Sequence, residues 1–133
     1  MAVRLIVEPK AAAIAAKNAN LSDLKSIADA HHQATQALQL DEFKYWDAQL
    51  HQRLFAATRN DLLVSLNCIL QVIRSSNPWV ELKRKSFSEN RRLRYCEQHA
   101  NVVAALENRD IDGTAQAMLG HIEPIEMALF GRP

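Results

Sequence analysis

The sequence predicts an all-α fold, an antiparallel bundle of six to seven helices. Three observations lead there. Only three Gly and four Pro occur in 133 residues, while Ala and Leu abound, and such a composition favours helices joined by short connections. Apolar residues fall on helical stripes along most of the chain, and no stretch reads as a convincing strand. Hydrophobic residues make up 48% of the sequence, enough to argue against disorder and to fill the core of one ordinary domain.

The first helix is expected near residues 8–19, with Pro9 in its first turn, where a missing N–H costs little. Asn20 reads as the N-cap of a helix near 21–38, with Asp23 three residues on as a capping-box partner. A third helix runs from about Asp41 to Thr58. Asn60 looks like the cap of the fourth, LLVSLNCILQVIRSS, which is apolar on nearly all sides and so is expected at the centre of the bundle. SSNPW (75–79) breaks the pattern. A helix then passes through EQHANVVAALENR, the turn NRD follows at 108–110, and the last helix spans about 111–130, with a kink expected at Pro124. Trp46 and Trp79 read as packing anchors. Cys68 and Cys96 lie in apolar helical patterns and read as buried, reduced thiols.

The charge balance excludes several functions. Sixteen basic side chains face fifteen acidic ones, for a net charge of +1, which offers no bulk attraction to nucleic acid or anionic membrane. The basic run KRKSFSENRRLR reads as a solvated helix face. No apolar run approaches the roughly 18–20 residues that cross a bilayer, and Glu8 and Lys10 interrupt the apolar N-terminus, against a signal peptide. A cytoplasmic location is expected.

The third helix raises a problem. Asp47 and His51 stand one turn apart on the face marked by Phe43, Leu50 and Leu54. His99 and His121 also lie on apolar stripes, 22 residues apart, with their midpoint at residue 110. A helical hairpin folded at 108–110 brings them to one height. Burying an isolated carboxylate is costly unless it is paired or protonated. Three imidazoles around one carboxylate meet that cost best with a divalent cation between them: zinc foremost, with nickel, manganese or iron also suited to these donors. Each histidine taken singly would be an ordinary hydrogen-bonded core residue. His31 and His32 face different directions and read as surface or boundary residues, and Cys96 is not needed to complete the set.

Several stretches together resemble the C-terminal effector-binding domain of the FadR subfamily of GntR-type bacterial transcription regulators. They are RLIVEPKAAAIAA, DAQLHQRLFAATRNDLL, EQHANVVAALENRD and TAQAMLGHI, and they span nearly the whole chain. In the metal-binding branch of that family one Asp and three His bind a divalent cation, and the matching positions are Asp47, His51, His99 and His121. The resemblance implies a small organic acid as effector, bound beside the metal, and a homodimer. Arg4 matches an arginine that precedes Glu-Pro in the family and could hold an effector carboxylate bidentately. Arg74, at the end of the fourth helix, is a second candidate for that contact. Residues 1–133 then form a single effector-binding and dimerisation domain, and DNA would be met only through a winged-helix domain absent from this chain. A sensor is the first reading and no enzyme activity is expected. A helical-bundle metalloenzyme is the alternative, weakened by the lack of an obvious general base near the four residues. A metal-stabilised dimerisation module without effector is the blandest reading.

Overall fold

The computed structural model describes residues 2–76, 84, 85 and 87–130, with side chains described from Val3 to Ile122. Six helices run through them: α1 (Ala2–Asn18), α2 (Leu21–Gln36), α3 (Leu40–Ala56), α4 (Asp61–Arg74), α5 (Glu89–Glu107) and α6 (Ile111–Phe130). No strand occurs among the described residues.

The expected start signals operate locally. Asn20 and Asp23 form a reciprocal capping box at 2.8 and 3.0 Å. Asn60 Oδ1 accepts from the Leu63 N–H at 3.1 Å, and Asp110 Oδ1 from the Gly113 N–H at 2.9 Å. The residues before these last two caps, Arg59 and Arg109, adopt left-handed backbone (φ 58° and 56°), the conformation that ends a helix and reverses the chain. Arg59 pairs with Asp23 at 2.6 Å, and Arg109 donates to the Ala16 carbonyl at 3.3 Å. Replacing Asn60 with alanine is expected to cost about 1 kcal/mol. Thermal unfolding should read this as a loss of roughly 4 °C.

α1 packs chiefly on α6, α5 on α6, and α2 on α3. Ala11, Ala12, Ala15, Ala16 and Ala19 of α1 are all buried, and their small side chains let α1 approach closely. They join Ile27, Leu50, Leu54, Phe55, Val102, Leu106 and Ile122 in the main core. A smaller apolar cluster holds Phe43, Tyr95 and Cys96, and Trp46 packs against both. Trp46 is thus the anchor expected. Trp79 lies outside the described residues, whereas Pro124 lies within α6, whose helical backbone runs unbroken from Ile111 to Phe130.

Four expectations need correction. α1 begins at Ala2 rather than near residue 8, so Pro9 lies inside the helix rather than in its first turn. The lost hydrogen bond to the Leu5 carbonyl is tolerated where a buried ion pair, Arg4 with Glu8, ties the turn before it. α4 is not the central helix. It turns Asn67 and Leu70 inward and leaves Leu62 (70% exposed), Ile69, Val72 (72%) and Ile73 facing outward. An apolar stripe alone does not say whether a core or a partner covers it. Cys68 rides on this helix and is exposed, whereas Cys96 is buried. Finally, Arg92 in the basic run is buried: it donates to the Thr35 carbonyl at 3.1 Å and pairs with Glu89 at 2.8 Å. Its neighbours Arg84, Lys85 and Arg94 are exposed as expected.

Candidate metal centre

Asp47 and His51 project from α3, one turn apart. His99 comes from α5 and His121 from α6, and the intervening turn lies at 108–110, so the hairpin brings both rings level. His99 Nε2 stands 3.1 Å from His121 Nε2 and 3.0 Å from Asp47 Oδ1. His51 Nε2 faces the same oxygen at 3.5 Å and makes no hydrogen bond. One ligand atom from each of the four residues lies within 4.8 Å of all the others. The three histidines are each 1% exposed, and Asp47, at 22%, is the open side of the group.

Packing fixes the rings. Phe43 stacks on His99 with centroids 6.4 Å apart. The His51 ring lies 5.6 Å from that of His121, nearly parallel, and Tyr95 meets His121 edge-on at 6.1 Å. On the far sides of the rings, Gln98 Oε1 lies 2.8 Å from His121 Nδ1, and Glu8 Oε1 lies 2.6 Å from His51 Nδ1. Glu8 is itself buried and bound by Arg4 Nε at 2.5 Å.

The electrostatics follow from this crowding. Burial pushes the Asp47 carboxyl up, but the His51 and His99 rings outweigh it and hold the group well below the usual carboxylate range. Burial also opposes charge on Glu8, yet Arg4, His51 and Arg74 together keep it ionised. His51 is pulled both ways: burial lowers its pKa, and the Glu8 and Asp47 carboxylates more than reverse that. His121 is driven well below the ordinary imidazole value, first by burial and then by the neighbouring His99 and His51. A buried neutral imidazole beside an ionised carboxylate is the donor set a borderline cation takes.

The structure therefore brings all four predicted ligands together, and the chemistry of the set fits a divalent ion. Residues 1–124 match the FCD domain, the C-terminal domain of FadR and GntR-type transcription regulators. The chain belongs to the FCD family. Two relatives illustrate the likeness. An Exu regulon transcriptional regulator from Escherichia coli (strain K12) is 25% identical over 127 residues, covering 96% of this chain and 49% of the relative. A Uxu operon regulator from Haemophilus influenzae is 25% identical over 129 residues, covering 96% of this chain and 48% of the relative. The chain thus spans about half the length of the curated relatives it matches.

Within the FCD domain, the two arginines singled out from sequence occupy different settings. Arg4 is buried and commits its Nε to Glu8. Arg74 is half-buried; its Nη2 bonds Gln71 Oε1 and lies 3.5 Å from Asn67 Oδ1. Its Nε is buried with no hydrogen-bond partner, and its guanidinium feels the charges of Arg4, Glu8 and Asp47. Sequence reading missed Glu8 and Gln98. Glu8 appeared as a charge interrupting an apolar terminus and as the Glu of the Glu-Pro after Arg4, with no role at the centre, and the signal that could have found it is its i, i+4 spacing from Arg4. Gln98 adjoins His99 in sequence but serves His121, and no spacing rule points there.

Proposed function

We propose that this FCD domain is the ligand-sensing part of a cytoplasmic transcription regulator. Asp47, His51, His99 and His121 would hold a divalent metal, zinc first, with nickel, manganese or iron as alternatives. A small organic acid would bind beside it. One observation carries this reading: the Nε2 atoms of His51 and His99 lie 3.5 and 3.0 Å from Asp47 Oδ1, His121 Nε2 lies 3.1 Å from that of His99, and one ligand atom from each of the four residues lies within 4.8 Å of the others, while His51 Nε2 has no hydrogen bond. The cation would supply a positive charge that offsets the buried carboxylates and a Lewis-acidic centre with open positions for a carboxylate ligand.

The chain's own residues would do the rest. Arg74, with a buried and unsatisfied Nε, is the stronger of the two effector contacts, and Arg4 is the second candidate. Planar guanidinium suits a carboxylate. Residues 1–133 would act as one effector-binding and dimerisation domain. The exposed apolar stripe of α4 (Leu62, Ile69, Val72, Ile73) supports self-association, and no described helix is long and apolar enough to cross a membrane. DNA would be met through a winged-helix domain outside this chain, and effector binding would shift the packing between subunits. The enzyme alternative needs a general base beside the metal. Among the described residues, the one buried carboxylate outside the four, Glu8, sits behind the His51 ring and is held by Arg4. The relatives' names also describe regulators rather than enzymes.

A thermal-shift screen of small organic acids tests this reading. With metal bound, an acid at a hundredfold excess over its Kd should raise Tm by roughly 10 °C. Arg74→Met should retain metal and lose that stabilisation. If every acid acts equally on metal-loaded and chelated protein, the effector does not bind at the metal. If none acts at all, a metal-stabilised dimerisation module is left.

A further inference from the structure

The metal reading names four ligands but leaves open how His51 is made ready to be one. A neutral imidazole carries one proton, on Nδ1 or on Nε2, and only a nitrogen without a proton can bind a cation. Free histidine side chains prefer the proton on Nε2. In this fold that choice would point the N–H of His51 at the other ligands and close its Nε2 to metal.

We infer that Glu8 is the positioning residue of the centre: its carboxylate fixes the His51 proton on Nδ1 and so leaves Nε2 open toward Asp47, His99 and His121. The geometry is specific. Glu8 Oε1 lies 2.6 Å from His51 Nδ1, and both side chains are 1% exposed. An ionised carboxylate can only accept, so the hydrogen must sit on the imidazole nitrogen. The other Glu8 oxygen, Oε2, accepts from Arg4 Nε at 2.5 Å. This buried ion pair keeps the carboxylate charged and oriented. Glu8 lies on the opposite edge of the ring from Nε2 and is not among the converging ligand atoms, so it acts through His51 and not on the metal directly. The arrangement is the outer carboxylate that often supports a metal-bound histidine, where it sets the tautomer and strengthens the ligand.

Two consequences follow from where Glu8 resides. It is the contribution of α1 to a site whose four ligands all come from α3, α5 and α6. The turn from Arg4 to Glu8 is therefore tied to the centre, and order there should depend on an intact His51. The charge also matters. Gln98 Oε1 occupies the corresponding place behind His121 at 2.8 Å, but an amide can turn over and donate instead, so it restrains a tautomer less firmly than a carboxylate does.

The proton position can be read without metal, which separates this inference from the metal reading on which its second half rests. Long-range ¹H–¹⁵N spectra of the metal-free protein would be recorded where the imidazoles are neutral. They should show His51 protonated on Nδ1 in the parent and shifted toward Nε2 in Glu8→Gln. Removing Glu8 alone strands the Arg4 charge, so a second variant, Arg4→Leu with Glu8→Leu, removes the buried pair together. It should show the same shift. Zinc affinity by competition with a chromophoric chelator should fall about 10- to 100-fold in both variants, with Glu8→Asp recovering part of the loss. An unchanged His51 tautomer in both folded variants overturns the assignment, whatever happens to zinc. A shifted tautomer with undiminished zinc affinity overturns the role of Glu8 in the metal centre. If the parent itself takes up no zinc while the tautomer still depends on Glu8, the metal reading has failed and the Glu8–His51 pairing stands.

Discussion

Asp47→Ala and His121→Ala are each expected to lower metal affinity by more than about 100-fold, beyond the 10- to 100-fold that loss of an outer partner costs. The two substitutions test different parts of the centre. Asp47 supplies the only carboxylate among the four ligands, and its Oδ1 lies 3.0 Å from His99 Nε2 and 3.5 Å from His51 Nε2. Without it a cation would face neutral imidazoles alone. His121 is held by Gln98 and flanked by the other two rings, and alanine there leaves a three-ligand site open on the α6 side. The effect should also appear as stability. A ligand that binds only the folded state at a thousandfold excess over its Kd contributes about 4 kcal/mol. For a chain of this size that is a Tm rise of more than roughly 10 °C. Chelation should remove the increment from the parent, added zinc should restore it, and neither variant should respond.

Phe43→Ala should be the most damaging single change to the fold near the site. Phe43 is 1% exposed and touches Phe87, Tyr95 and His99, with ring centroids 5.9, 6.2 and 6.4 Å away. Truncating a buried phenylalanine costs about 3–5 kcal/mol through lost burial and the cavity left behind. Chemical denaturation should show a lowered midpoint with little change in slope. The cavity would open directly against His99, so zinc affinity should fall as well, even though no ligand has been touched. Leu54→Ala provides the contrast. It lies in the main core and should cost similar stability with a smaller effect on zinc.

How much of this could be read from sequence differs from residue to residue. The cluster of Asp47, His51, His99 and His121 was legible because two periodicities agree. Asp47 and His51 share a face by i, i+4 spacing, and His99 and His121 are symmetric about the turn that NRD marks at 108–110. The caps Asn20 and Asn60 were legible because they act within three residues. What was hidden depends on docking between elements. Glu8 reaches His51 across 43 positions, and nothing local to α1 announces that partner. Arg92 looks solvated inside a basic run, yet the carbonyl of Thr35, from α2, takes it into the interior. α4 shows the limit most plainly. Its apolar residues divide between two faces: Leu62, Ile69, Val72 and Ile73 face outward, while Leu63 and Leu70 turn into the bundle beside the polar Asn67. Hydrophobicity tells that a face will be covered, and only the fold tells by what.

We propose that this FCD domain carries one divalent metal on Asp47, His51, His99 and His121. Elemental analysis of protein purified without chelator or histidine tag, beside Asp47→Ala and His121→Ala, tests it most directly. About one equivalent of metal per chain is expected in the parent, with a sharp loss in both variants. A parent that holds none, even after incubation with zinc, nickel and manganese, would contradict it and leave the four residues as a buried polar network in an FCD domain.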